Sequence, residues 1–150
     1  MKEPNLNPGG LKWTHTRSSL SAETFGRPAE SLEMDCGIGA VKDGVLQWER
    51  AKALWDTGTS TTVITPELAA KLGLEPDGDY MGLNGLGGVK EAWTAVVCIG
   101  LPNKKAYGPI PVAVHELPSV DVLIGMDVIC TGRFLLEPKP DGGTKFMFIL

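Results

Sequence analysis

Leu54-Trp55-Asp56-Thr57-Gly58-Thr59-Ser60-Thr61-Thr62-Val63-Ile64 is the stretch on which the reading of this chain turns. The residues before it, Ala51-Lys52-Ala53, join Leu54 and Trp55 in a run that reads as a strand. Asp56-Thr57-Gly58 then supplies an acid, a small hydroxyl residue and a glycine, a set that lets the backbone bend tightly with the carboxylate at the tip of the bend. Thr61, Thr62, Val63 and Ile64 are β-branched throughout and favour a second extended segment. Taken alone the tripeptide is equally an Asx-type turn, which needs the same residues. Its setting between two apolar extended runs is what sets it apart.

Outward from this centre the signals are mostly those of strands and turns. Leu32 to Cys36 alternates, and Asp43-Gly44 marks a hairpin between that run and Val45-Leu46-Gln47-Trp48. One short helix is predicted after Thr65: Thr65 as N-cap, Pro66 at the first helical position, Leu68, Ala69 and Leu72 as an apolar stripe, and Gly73 past the end. Met81 to Gly88 is glycine-rich and is followed by the runs Trp93–Ile99, Ile110–Val114 and Val120–Ile124. Asp141-Gly142-Gly143 signals a hairpin before the apolar final strand 144–150. That strand, with Phe146 to Leu150, is expected to be an exposed interface strand. Residues 1–30, rich in Pro, Gly, Ser and Thr, are expected to form an extended arm or leader, and residues 31–150 the domain proper.

Composition narrows the function classes. A chain of 150 residues with 43% hydrophobic and 21% charged residues has room for one core. A net charge of −4 without a Lys/Arg cluster argues against nucleic acid as partner. Cys36, Cys98 and Cys130 are odd in number and widely spaced, and neither they nor His15 and His115 have metal-ligand spacing, so neither a disulfide framework nor a metal is expected. The first residues lack the apolar run of a signal peptide, and no stretch reaches membrane-spanning length, so no membrane partner and a cytoplasmic setting are expected.

Three elements in order, Asp56-Thr57-Gly58-Thr59-Ser60, Asn84-Gly85-Leu86-Gly87-Gly88-Val89-Lys90 and Val122-Leu123-Ile124-Gly125-Met126-Asp127, resemble the catalytic turn, flap tip and accompanying strand-and-turn of retropepsin-like aspartic proteases. The resemblance covers residues 31–150 and is nearest to bacterial and phage-type members. It implies a mainly β, closed domain with one short helix, assembled as a homodimer because each chain brings one Asp-Thr-Gly. It implies catalysis by Asp56, with Thr57 bracing the two active-site loops across the dimer axis and Gly58 completing the turn. It further implies substrate contacts from Ser60, Thr61, Val63, Gly85, Leu86, Gly87 and Leu123, a peptide or protein substrate, and no cofactor. The chain departs from the pattern at Trp55, where a smaller aliphatic is usual. Met126 and Ser60 stand where many retroviral members have an Arg and its acidic partner, so both halves of that pair are absent together. Thr59 replaces an Ala of many retroviral relatives, and its hydroxyl is expected to donate to the catalytic carboxylate.

Other readings of the acidic turn fit less well. The actin-like ATPases need a second lobe and a second glycine-rich acidic motif, and aspartyl-phosphate enzymes place Lys between Asp and Thr. Gly85 to Gly88 lacks the Gly-Lys-Ser/Thr ending of a phosphate loop. A non-catalytic peptide-binding dimer of the same fold is the alternative from another class.

Overall fold

A computed structural model describes residues 10–85 and 88–150. In chain order the strands and helices are β1 (Lys12–His15), β2 (Ser19–Glu23), β3 (Glu33–Lys42), β4 (Val45–Trp55), β5 (Val63–Ile64), α1 (Pro66–Lys71), β6 (Tyr80–Gly85), β7 (Gly88–Gly100), β8 (Ala106–Val114), β9 (Val122–Ile124), α2 (Met126–Ile129), β10 (Arg133–Pro138) and β11 (Thr144–Ile149). The protein is mainly β, as expected, with α2 as a second short helix beyond the one read from sequence.

Strands β3-β4-β9-β5-β8-β7-β6 form one sheet, and β3 also pairs with β7 through Gly37↔Gly100, Ile38↔Ile99 and Gly39↔Cys98. That extra pairing closes the sheet into a barrel and leaves β6 outside it as half of a hairpin. Closure is sealed by Trp48, whose ring lies across glycines: a Cβ at Gly39 would come within 2.9 Å of it. The hairpin between β3 and β4 is the two-residue Asp43-Gly44 turn, both residues at positive φ (53° and 76°), which matches the right-handed twist of the flanking strands. In α1, Leu68 N donates to Thr65 Oγ1 at 3.3 Å, Pro66 opens the helix, and Gly73 follows its end at φ 69°. No helix among the described residues is long and apolar enough to cross a membrane.

The second sheet has the order β1-β2-β11-β10. The segment read as an arm is thus extended over β1 and β2 and knitted to the chain's other end. Leu11 and Leu20 are buried, and Trp13 Nε1 donates to Glu33 O at 3.0 Å. A polar clasp fixes the linker that follows. Lys139 Nζ donates to Thr24 O at 3.1 Å and lies 3.8 Å above the Phe25 ring, while Asp141 accepts from Gly143 N at 2.8 Å and Gly26 N at 3.2 Å. The bond from Gly143, then that from Gly26 and the charge of Lys139, hold the Asp141 carboxyl below its ordinary range.

This topology corrects the expectation of an exposed C-terminal strand. β11 has β2 on one side and β10 on the other, and Phe146 and Phe148 are fully buried. Both edges of its ladder are already used, so it offers no edge to another chain.

Candidate active site

The turn at Asp56 is built by the strand that threads behind it. β9 pairs in parallel with the end of β4 (Leu54↔Leu123, Trp55↔Ile124) and antiparallel with β5 (Val63↔Leu123, Ile64↔Val122). The chain before and after the turn is therefore clamped to one strand, and Asp56 N donates to Ile124 O at 2.9 Å. Gly58 N donates to Asp56 Oδ1 at 2.8 Å, closing an Asx turn, and a Cβ at Gly58 would sit 3.0 Å from that oxygen. Asp56 is half-buried, while Thr57 and Gly58 are exposed at the tip.

Beyond the tip, residues 59–62 are tied to the start of α2. Met126 N donates to Thr59 O at 2.8 Å and Asp127 N to Ser60 O at 3.2 Å. The Asp127 carboxylate accepts from Thr62 N (2.9 Å), Thr62 Oγ1 (2.7 Å) and Val128 N (2.9 Å), and Thr62 Oγ1 in turn accepts from Gly125 N at 3.1 Å. Gly125 is required by proximity: a Cβ there would lie 2.8 Å from the backbone carbon of Thr61. Backbone bonds at Thr59 and Ser60, with the Asp127–Thr62 bridge, link the two segments where the Met126/Ser60 pair of positions carries no ionic bond. Asp127 closes the sequence motif Val122–Asp127, which by itself assigns it no role. Thr62, a hydroxyl in a buried β-branched run, is the sequence signal that such a partner was needed.

Thr59 does not act as expected. Its Oγ1 donates to Thr61 O at 3.0 Å, a local bond within the loop, and not to Asp56. The short reach to a carbonyl two residues on wins over the longer one to the carboxylate.

Val63 and Leu123 do come together. They form a small apolar cluster with Ala92 and Ala113, joined by Met81 and Leu83 of β6. Met81 and Leu83 alternate with the exposed Gly82 and Asn84, so one face of the β6–β7 hairpin rests on this cluster. That period-two pattern was present in the sequence but hidden by the glycines. The hairpin's last described pair is Gly85↔Gly88; Leu86 and Gly87 lie outside the described residues. Ser60 is exposed and Thr61 half-buried on the strand-entry side of the turn. A cleft of about 370 Å³ reaches Asp56 from its other side, lined also by Ser31, Leu32, Leu54, Trp55 and Leu136.

Comparison with solved structures places this architecture. EIAV protease complexed with the inhibitor HBY-793 superposes with a TM-score of 0.52 at 20% identity, covering 68% of this chain and 88% of that one. A retropepsin-like aspartic protease from Rickettsia conorii gives 0.49 at 17% identity, over 93% and 98%. The retroviral protease-like domain of Ddi1 from Leishmania major gives 0.45 at 19%, over 79% and 93%. The fold is retropepsin-like. No curated protein sequence matches the chain, but the family model described as aspartyl protease matches residues 40–128, more than half of its length. The chain belongs to the aspartyl protease family.

Proposed function

We propose that this chain is one half of a homodimeric aspartic endopeptidase whose two Asp56 residues meet at the dimer axis. The observation that carries the reading is the Asp56 turn. A half-buried carboxylate, oriented by Gly58 N, stands beside an exposed Thr57 and Gly58 at the tip of a loop clamped on both flanks. One such carboxylate per chain is half a catalytic device. Two carboxylates about 3 Å apart share one proton because both cannot ionise. The ionised member takes a proton from water, whose oxygen attacks the scissile carbonyl carbon, and the protonated member donates its proton to the carbonyl oxygen. Collapse of the resulting diol breaks the C–N bond as the amine nitrogen takes up a proton. Neither a metal nor an organic cofactor has a part in these steps.

The peptide is proposed to lie extended over the turn, with Gly58, Ser60 and Thr61 along the groove. Val63 and Leu123, with Met81 and Leu83 above them, offer an apolar subsite under the β6–β7 hairpin, which with Gly85, Leu86 and Gly87 serves as the flap. Three free cysteines fit a reducing compartment such as the cytoplasm.

Digestion of a peptide library at several pH values, comparing wild type with Asp56→Asn, tests the proposal. Cleavage by the wild type alone is expected, with a bell-shaped pH dependence on the acidic side of neutrality. Equal cleavage by Asp56→Asn removes Asp56 from the chemistry. Binding of a peptide by both proteins without cleavage by either selects the non-catalytic peptide-binding dimer.

A further inference from the structure

The ladder that closes the barrel stops short at one place. β3 and β7 pair at Gly37↔Gly100, Ile38↔Ile99 and Gly39↔Cys98, and the same register carried on would set Val41 opposite Val96. The strands diverge there instead. β6 leaves the same side of β7 after Tyr80↔Trp93, so among the described residues no strand stands beside β7 between Ala95 and Val97 on that side. The wedge between β3 and β7 is a cleft of about 320 Å³, and it shares no lining residue with the cleft that reaches Asp56. Both walls aim backbone groups into it. The two-residue Asp43-Gly44 turn makes Lys42↔Val45 the hydrogen-bonded pair that closes its hairpin, so at the next pair, Val41↔Leu46, the N–H and C=O of Val41 point away from β4. On the other wall Thr94 N donates away from β8, to Asp79 O at 3.0 Å, and Val96, two residues on, turns its N–H and C=O the same way. Pro111, opposite Val96 in β8, has no N–H to offer it.

The rims of the wedge are apolar and open: Val41 is 67% exposed, Val96 58% and Leu46 45%. Leu74, Glu75 and Asp77, from the loop after α1, complete the lining. Neither carboxylate is in an ion pair among the described residues, and Asp77 accepts from Asp79 N at 3.1 Å. Lys42, the cation of the hairpin, is folded back over Gly73 at the end of α1, where a Cβ would meet its Nζ at 2.8 Å. We infer that the wedge takes an extended segment of the protein substrate, with apolar and basic residues alternating, whose backbone bonds to the free groups of Val41 and Val96. The inference rests on the protease reading for the identity of this occupant, while the wedge itself does not depend on it. In an added strand the main chain supplies affinity and the side chains supply choice. Exposed apolar edges are ordinarily covered or charged, and the charges that line this one are acidic. A basic and apolar segment is therefore its complement. A second copy of this chain is not, since it would bring Glu75 and Asp77 against the same two acids.

The test measures binding of a fluorescein-labelled Lys-Val-Lys-Val-Lys-Val peptide to full-length Asp56→Asn protein by fluorescence anisotropy. Saturable binding is expected, undiminished by a peptide-like inhibitor seated at Asp56, and weakened about fivefold or more by Val96→Lys or by Glu75→Lys. The same peptide methylated at alternate backbone nitrogens should bind as weakly as those variants do, because it lacks donors for an added strand. A peptide with Glu in place of Lys should bind Glu75→Lys better than it binds the protein with Glu75 intact. In the enzyme with Asp56 present, joining the Lys-Val segment to a peptide that is cleaved should lower KM without changing kcat. Val96→Lys should abolish that gain and cleave the short peptide unchanged. Absence of binding, binding that survives both substitutions, or displacement by the inhibitor overturns the inference, and the protease reading stands if library peptides are still cleaved. Binding with the expected sensitivities but no cleavage of any peptide keeps the wedge as a peptide site, and overturns the protease reading and with it the substrate as occupant.

Discussion

Deleting the Asp127 carboxylate is the sharpest test of how the Asp56 turn is held. In Asp127→Ala, Val128 N keeps a bond to Gly125 O at 3.1 Å. Thr62 N and Thr62 Oγ1–H lose their acceptors; Thr62 is 0% exposed, but Asp127 is exposed, so water enters where the carboxylate stood and takes up part of the loss. Two donors left unpaired cost ~1–3 kcal/mol each, and partial replacement by water places the loss near ~2 kcal/mol. With a urea slope of ~2 kcal/mol/M, the unfolding midpoint falls by roughly 1 M, measured at one fixed protein concentration because any self-association would add to apparent stability. Asp127→Asn keeps one acceptor oxygen but turns an amide N–H₂ toward the other donor, and is expected to lose about half as much. In activity the two variants should lower kcat more than they raise KM, at a temperature where both remain folded, since the segment displaced leads back to Asp56. A loss in Asp127→Ala below ~1 kcal/mol would refute the bridge as a contact that holds the turn.

Three further outcomes follow from the same geometry. Asp141→Ala should release the linker after β2 and admit proteolytic cuts between Thr24 and Ser31, read by mass spectrometry; undiminished resistance counts against the clasp. Because the Asp141 carboxyl is held below its usual value, its contribution is present above the unfolded value near ~3.9 and is lost as pH falls through the lower folded value, so the wild type should become cleavable there only under strong acid. Cys36 is buried, and burial, with the charges of Asp121 and Asp35, pushes its thiol up to about 12. At mildly alkaline pH it should resist alkylation while the exposed Cys130 reacts, and equal rates would contradict that burial. Thr59→Ala should leave the acidic limb of the activity profile in place, since the hydroxyl is bonded to Thr61 O; a move of that limb toward neutrality would return Thr59 to the carboxylate.

What could be read from the sequence was what depends on neighbours in the chain. The Asp43-Gly44 turn, the Thr65 cap, the Pro66 start and the Asp56 bend are each decided within a few residues, and each stands where the residues place it. What could not be read depends on distant pairing. β2 carries Leu20 and Ala22 at strand spacing, yet between polar residues and beside a Pro/Gly-rich stretch that pattern is too short to declare itself. α2 has four residues and no side-chain cap, and it is held by backbone bonds to Thr59 and Ser60, which no local propensity announces. The final strand departs from its expected edge position for the same reason. Phe146 and Phe148 tell that one face is buried, but only the partners β2 and β10 decide whether a strand lies at the centre of a sheet or at its edge.

Trp55 joins these local and distant parts. Its ring, 5% exposed, lies 4.8 Å from Phe148, 5.6 Å from Phe146 and 6.3 Å from Phe134 between ring centroids. The indole N–H is buried there without a hydrogen-bond partner among the described residues, which costs ~1–3 kcal/mol. Three aromatic pairs contribute ~0.5–1.5 kcal/mol each beyond their area, so the arrangement is sustained by ring packing alone. The tolerance of a large residue at this position thus follows from β10 and β11, which supply the rings that a smaller side chain would leave unfilled. Asp56 follows directly on that plug, so the height and tilt of its carboxylate are set by the C-terminal hairpin as much as by its own turn. Phe134 belongs to β10, whose Leu136 also lines the cleft beside Asp56. Any displacement of β10 is therefore passed, through one ring, to Trp55 and to the carboxylate that follows it.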